Sequence, residues 1–298
     1  MVSAAPSVIS AGSIPASLGL TPITVTYRTG LALDIYVPPN PTGAVVVTAH
    51  GGGFTSTGTT KTDTNPVAFC QGLAALGIIG ISSAYTPATG AGLALGQFPR
   101  AHLDGLCALR WVYANIRSYG GDPERIGVCG FSAGGDLLAM VALATRQGIT
   151  TLGNGTSLVE AGAPYQPGPN DSAIVKRWGA YYMANDIRVY SGIGASPNPT
   201  NILTLLQCSS SSDPNYAPRS SDLSVIVLSH TGVGQPYWLA HGSSDTTVFS
   251  SHTTSFTSTN ATIVTGVGHN FSPVASGPEL SANLTMWAGG PGSLFGGL

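Results

Sequence analysis

The stretch AVVVTAH, residues 44–50, is apolar at nearly every position, and GIIGISSAY (77–85) and RIGVCGF (125–131) repeat the pattern. A strand with one wet face alternates apolar and polar residues. A run without alternation belongs to a strand covered on both faces, as in a parallel sheet held between helices. The intervening stretches supply those helices at 63–76, at 134–147, and at 97–118, whose apolar positions include Leu103, Leu106, Leu109, Trp111 and Ile116. TPITVTYRT and LALDIYVPP, separated by Gly30 and closed by Pro38 and Pro39, open the domain as a hairpin-like pair. Further strands are expected at 178–184, 236–242 and 261–267, and a final helix at 279–288. This alternation specifies an α/β domain with a mainly parallel, twisted sheet and helices on both faces.

The chain has 298 residues, 43% of them hydrophobic, enough to bury a large core. Only 8% are charged and the net charge is −2, against about 25% charged in an average soluble domain. Long-range electrostatics therefore favours neither nucleic acid nor an anionic membrane as a partner. No apolar run reaches the roughly 18 residues of a membrane span. Lys61 and Lys176 are the only lysines, and Ser, Thr, Asn and Gly abound, a composition that favours a secreted or periplasmic protein over a cytoplasmic one. Residues 1–20 lack the basic start of a signal peptide and read as a poorly ordered lead-in to a domain over 21–298. Cys70, Cys107, Cys129 and Cys208 form no CxxC pair, which argues against zinc. Cys129 reads as a small buried residue, and one disulfide among the other three stays open. No metal or cofactor is expected. Residues 186–235 are long, Pro/Ser/Gly-rich and weakly periodic, as in an insertion that forms a lid or wall over a site.

Gly130-Phe131-Ser132-Ala133-Gly134 is a G-x-S-x-G sequence at the seam between an expected strand and an expected helix. In that context the serine occupies a strained turn, and the flanking glycines let neighbouring backbone pass without Cβ clashes. Oγ is thrust out at the carboxyl edge of the sheet, above the positive end of a helix. Ser132 is the candidate nucleophile.

A serine hydroxyl attacks only when a base takes its proton. His102 and His252 fall in expected helices as surface or packing residues. His230 lies in the insertion without supporting signal, and His241 ends a strand where either core or rim would suit it. His269, in GVGHNF after the last expected strand, lies on the same carboxyl edge as Ser132 and is the candidate base. YWLAHGSSDTTV delivers Asp245 to that edge as the acid, with Asp186 and Asp222 as runners-up. The order Ser132, Asp245, His269 is that of an α/β-hydrolase. Asp136, in the first turn after the serine, reads as a cap or a partner of the helix dipole.

HGGGF (50–54) follows the buried strand 44–49, so its turn also sits on this edge. Consecutive glycines let backbone N–H groups converge on a developing oxyanion. Gly52 and Gly53 are the candidate donors, joined by Ala133. Phe54, Tyr85, Tyr182 and Phe271 are the candidate substrate-pocket residues.

Taken in order, LDIYVPP, HGGGF, the stretch from FPRAHLDG to FSAGGDLLA, HGSSD and GHNF resemble the α/β-hydrolases of the hormone-sensitive-lipase-like carboxylesterases and their bacterial relatives, over about residues 31–272. The resemblance implies ester hydrolysis through an acyl-enzyme by Ser132, Asp245 and His269, with Gly52, Gly53 and Ala133 as oxyanion hole and His50 shaping the glycine turn. It departs from that group in four places, one being that the N-terminal cap helices of the lipase-like branch are not evident. Phe131 replaces an acidic residue before the serine, as in the feruloyl- and acetylxylan-type relatives. Ala84-Tyr85-Thr86-Pro87-Ala88 replaces a charged stretch, and ATGAGLALG (88–96) is inserted after it. The expected activity is serine carboxylesterase action on a small-molecule ester of a short- to medium-chain acid. The alternative is a secreted feruloyl, acetylxylan or polyester esterase. A serine peptidase or a non-catalytic binding protein on the same fold ranks below both. Oligomeric state is left open.

Overall fold

The computed structural model describes residues 18–58, 60–189, 199–222, 224–225, 237–256 and 261–272. The strands are β1 (Ile23–Arg28), β2 (Leu31–Tyr36), β3 (Val45–Ala49), β4 (Ile79–Ser83), β5 (Ile126–Phe131), β6 (Val175–Tyr181), β7 (Tyr237–Gly242) and β8 (Ala261–Val264). The helices are α1 (Thr64–Ala75), α2 (Arg100–Asn115), α3 (Ala133–Gln147), α4 (Asp171–Ile174), α5 (Pro199–Leu206), α6 (Tyr216–Asp222) and α7 (Ser251–Phe256). All eight strands form one sheet in the order β1-β2-β4-β3-β5-β6-β7-β8. β1, β2 and β4 pair antiparallel, with Val25 opposite Leu33 and Ile35 opposite Ile81. From β4 through β3 to β8 every pair is parallel.

Unbroken apolar runs build the centre of this sheet because both of its faces are covered. All five residues of β3 and all six of β5 are buried. Val45, Val47 and Ala49 join the core made with α2 and α3, including Leu106, Leu109, Leu137 and Val141. Ala44 and Val46 point the other way, into a second core with Phe69 and Leu73 of α1. The period of two divides one apolar run between two layers. Each Leu or Phe so buried contributes about 1.5–3 kcal/mol.

The elements agree with those read from the pattern, with shifted ends. α2 begins at Arg100 and passes at Ile116 into a 3-10 turn ending at Tyr119. β6 starts at Val175, three residues before the expected 178, and ends where Tyr182 takes a positive φ of 41°. The helix expected at 279–288 and residues 1–17 of the lead-in lie outside the described residues. Within 186–235 the described part holds α5 and α6. Ile202, Leu205 and Leu206 of α5 enter the core, and the Leu205 carbonyl accepts from the Phe98 N–H at 3.1 Å. These helices have only eight and seven residues, too few for a clear periodic signal. The four cysteines are free, and Cys70, Cys107 and Cys129 are buried.

The irregular segment after α3 is clasped to the body by charge. Glu160 accepts from Arg28 at 2.6 and 2.7 Å and from Arg100 at 2.7 and 2.8 Å, a carboxylate between two guanidinium forks. Arg100 also donates to Asp104, which accepts the Thr86 N–H at 2.9 Å.

Candidate active site

Ser132 stands between β5 and α3 with φ 52° and ψ −121°, a backbone conformation costly for a residue with a Cβ. Two close approaches hold it there. A Cβ on Gly130 would collide with the Gly134 carbonyl, and one on Gly134 with the carbonyls of Ala49 and His50. Only glycine lets the turn close this tightly against the end of β3. The Ser132 N–H donates to the Tyr181 carbonyl at 2.9 Å.

The loops after β7 and β8 bring Asp245 and His269 to the same edge. His269 Nδ1 lies 2.7 Å from Asp245 Oδ2, and Nε2 lies 3.0 Å from Ser132 Oγ. An ionised carboxylate only accepts, so Nδ1 carries the proton and Nε2 is open to accept from the serine hydroxyl. Asp245 Oδ1 accepts the N–H groups of Thr247 and Val248 at 2.8 and 2.9 Å. Burial by itself raises the Asp245 pKa. The hydrogen bonds from His241, His269 and Val248 outweigh it and hold the carboxyl below the usual carboxylate range.

The runners-up for the acid are engaged elsewhere. Burial raises the Asp186 pKa, but the Arg188 guanidinium, bonded to it at 2.8 and 2.9 Å, and Ser224 hold the carboxyl low. Asp222 accepts from the Asn154 N–H at 3.2 Å. Asp136 also differs from expectation. It is buried, makes no capping hydrogen bond, and faces His102, whose Nε2 lies 3.8 Å from Oδ1. Burial pushes its pKa well above the usual carboxylate range. His102 itself packs between Phe54 and Phe98, with its pKa lowered to about 3 by burial. His252 is likewise buried, beside Asn185. His230 lies outside the described residues.

The glycine turn is held by its carbonyls. Gly51 O accepts from the Tyr85 hydroxyl at 3.1 Å and lies 2.8 Å from His50 Nδ1. Gly52 O accepts the N–H groups of Thr55 and Ser56 at 3.2 and 3.0 Å. No hydrogen bond among the described residues uses the N–H of Gly52 or Gly53. Ala133 is the first residue of α3, so its N–H has no acceptor within the helix. Gly51 abuts the serine: a Cβ there would lie 3.2 Å from Ser132 Cβ. Gly53 abuts the side-chain amide of Asn201 of α5, which would have to shift to admit a Cβ.

Of the four expected pocket residues, the structure keeps Tyr182 at the cavity and turns two away. Tyr85 is buried under the glycine turn, stacked on His50 at 4.3 Å. Phe54 is buried against His102. Both side chains answer the need to support the turn from the core side. Tyr182 packs on the His269 ring and lines a cavity of about 580 Å³ together with Gly51, Gly52, Thr62, Asp63, Asn65 and Asn270, among others. Phe271 packs on Tyr181 and Tyr182 beside it. His241, which the sequence left open between core and rim, is buried, and its Nε2 lies 3.1 Å from Asp245 Oδ2. The signal for this contact was present in HGSSD, where one turn of chain returns to the strand end.

A sequence profile of the BD-FAE family matches residues 33–259. The chain belongs to the BD-FAE family. This BD-FAE chain is 37% identical over 120 residues to carboxylesterase NlhH of Mycobacterium tuberculosis, a match covering 40% of the chain and 35% of that protein. It is 33% identical over 120 residues to liver carboxylesterase B-1 of Rattus norvegicus, covering 38% of the chain and 21% of that protein. The matches thus span about a third or less of the length of these curated relatives. Among solved structures it is similar to a truncated carbohydrate esterase from gut microbiota, with TM-score 0.68, 20% identity, and coverage of 90% of this chain and 96% of that one. Esterase Est2 of Thermogutta terrifontis gives TM-score 0.60 and 19% identity, covering 92% of this chain and 90% of that one. At these identities the likeness concerns the fold, which is that of an α/β-hydrolase. No helix among the described residues is long and apolar enough to cross a membrane.

Proposed function

We propose that this BD-FAE protein is a serine carboxylesterase that hydrolyses small-molecule esters through an acyl-enzyme. The observation that carries the reading is the hydrogen-bonded series Ser132 Oγ, His269, Asp245 at 3.0 and 2.7 Å. His269 Nε2 takes the Ser132 proton as Oγ attacks the ester carbonyl, and Asp245 fixes the imidazole tautomer and stabilises the imidazolium. The N–H groups of Gly52, Gly53 and Ala133 receive the developing oxyanion. Carbonyls held by Tyr85, Thr55 and Ser56 keep the turn from rotating its own oxygens into that position. His269 then protonates the departing alcohol, and water repeats the sequence to release the acid.

The cavity beside the glycine turn bears on the substrate. Thr62, Asp63, Thr64, Asn65 and Asn270 give it hydrogen-bonding groups, set against an apolar side made by Pro66, Phe131 and Tyr182. That lining supports a polar, hydroxyl-bearing alcohol, the reading also favoured by the likeness to a carbohydrate esterase. α5, with Asn201 on Gly53, acts as one wall of the site.

The test is a panel of nitrophenyl esters of graded acyl length alongside acetylated and feruloylated sugars, with and without a serine-directed fluorophosphonate. Turnover that the reagent abolishes, together with labelling at Ser132, is expected. Turnover of no ester by wild-type protein overturns the assignment.

A further inference from the structure

His241 ends β7 with none of its surface exposed, yet all its polar atoms are engaged. Nε2 lies 3.1 Å from Asp245 Oδ2 and 2.7 Å from the Val248 carbonyl oxygen, and Nδ1 lies 2.9 Å from Thr253 Oγ1. A carbonyl and a carboxylate can only accept, so Nε2 must carry a proton, which the two oxygens share. The Thr253 hydroxyl then donates to Nδ1, and the ring needs no second proton to satisfy its surroundings. Asp245 Oδ2 accordingly receives two imidazole N–H groups, one from His241 and one from His269.

We propose, on the serine-esterase reading above, that His241 is a positioning residue for the acid: its neutral Nε2–H fixes the Asp245 carboxylate and moderates the proton affinity that Asp245 confers on His269. A donated hydrogen bond disperses carboxylate charge. With two donors on one oxygen, Asp245 orients His269 but attracts its imidazolium less than a carboxylate bonded to His269 alone.

The groups facing this array are few. On the loop after β7 there is Asp245; on the loop after β8, His269. α7 presents His252 with Thr253, and Tyr182 lies at the end of β6 with Asn185 and the Asp186–Arg188 pair beyond it. Ser132 closes the series at the turn before α3. His252 is kept neutral by burial, with its pKa lowered to about 4, so no second buried cation competes for Asp245.

Three measurements decide the matter. In wild-type protein, ¹⁵N spectra of the imidazoles should show His241 neutral with the proton on Nε2 throughout the acid limb of activity. An Nδ1–H tautomer, or an imidazolium forming in step with loss of activity, overturns the proposal and requires no variant to fold. His241→Phe keeps the bulk and removes the donor. Its kcat/KM acid limb should move to higher pH by ~0.5 unit or more, with kcat reduced ten- to about a hundredfold, the scale of one hydrogen bond to a charged group. His241→Gln, whose amide reaches the place of Nε2, should restore the wild-type limb. A rate loss in His241→Phe with an unmoved limb assigns His241 to packing and defeats the proposal. Absence of any Ser132-dependent turnover in wild type defeats the esterase reading instead, while the tautomer still reports on the Asp245 contact.

Discussion

The ring of Tyr182 packs on the imidazole of His269, centroids 4.6 Å apart, while its hydroxyl accepts from Asn65 Nδ2 at 2.7 Å. The first turn of α1 is thus linked, through one phenol, to the group that faces Ser132. Tyr182→Phe removes that single hydrogen bond and should lower kcat about two- to tenfold. Tyr182→Ala also removes the wall against His269 and should cost more than Phe, since small misplacement of a catalytic group loses about 10²-fold. Steady-state kinetics on one nitrophenyl ester separates the two variants; equal losses would show that the ring contact does not orient His269.

Ser132→Ala should abolish ester turnover, by about 10⁴–10⁶-fold, with an unchanged melting temperature. Residual activity above about one-hundredth of wild type would reassign the nucleophile.

Asp245→Asn should cost about 10⁴, the scale of the same exchange in a serine-protease triad, because the amide favours the wrong imidazole tautomer. Asp186→Asn should stay close to wild type, since its carboxylate serves Arg188 and Ser224. A reversal of these two results in kcat/KM measurements would move the acid to the end of β6.

Gly53 has φ 57° and lies against Asn201 of α5. Gly53→Ala should impair activity and stability together, because the methyl meets Asn201 and the left-handed backbone costs about 1–2 kcal/mol for a residue with a Cβ. Adding Asn201→Ala should recover the contact part and leave the backbone part. If the double variant is no better than Gly53→Ala by thermal melt and kcat/KM, α5 is not the wall that constrains the turn.

Glu160 has its pKa lowered from 4.5 to about 2 by hydrogen bonds from Arg100 and Arg28. A carboxyl more acidic in the folded state stabilises above its unfolded pKa, and the contribution disappears as pH falls through the folded one. Wild type minus Glu160→Gln should therefore show a stability difference at pH 6 that shrinks between about pH 4.5 and pH 2. Urea midpoints at several pH values read it; a pH-independent difference would assign the clasp to packing of the two arginines.

Much of this protein is written in short stretches of chain. Runs such as AVVVTAH and RIGVCGF can only be strands covered twice, and their spacing by helices orders a parallel sheet. Gly130 and Gly134 around Ser132 announce a turn that no residue with a Cβ could make. HGGGF, HGSSD and GHNF each end a strand, so their residues arrive at one edge whatever the loops between do. These are local signals: backbone sterics and the burial period act over a few residues. What followed only from tertiary structure is which way side chains face across long separations. Tyr85 and Phe54 stand beside the right motifs, yet both are drawn under the glycine turn, where His50 and His102 supply the packing. Asp136 sits where a helix cap belongs, yet it is buried without a capping hydrogen bond, and desolvation by the surrounding core pushes its pKa well up. Asn201 meets Gly53, and His241 shares Asp245 with His269, because α5 and the strand ends converge in space. Such contacts depend on the simultaneous placement of several elements, and no period or spacing within any one of them encodes it.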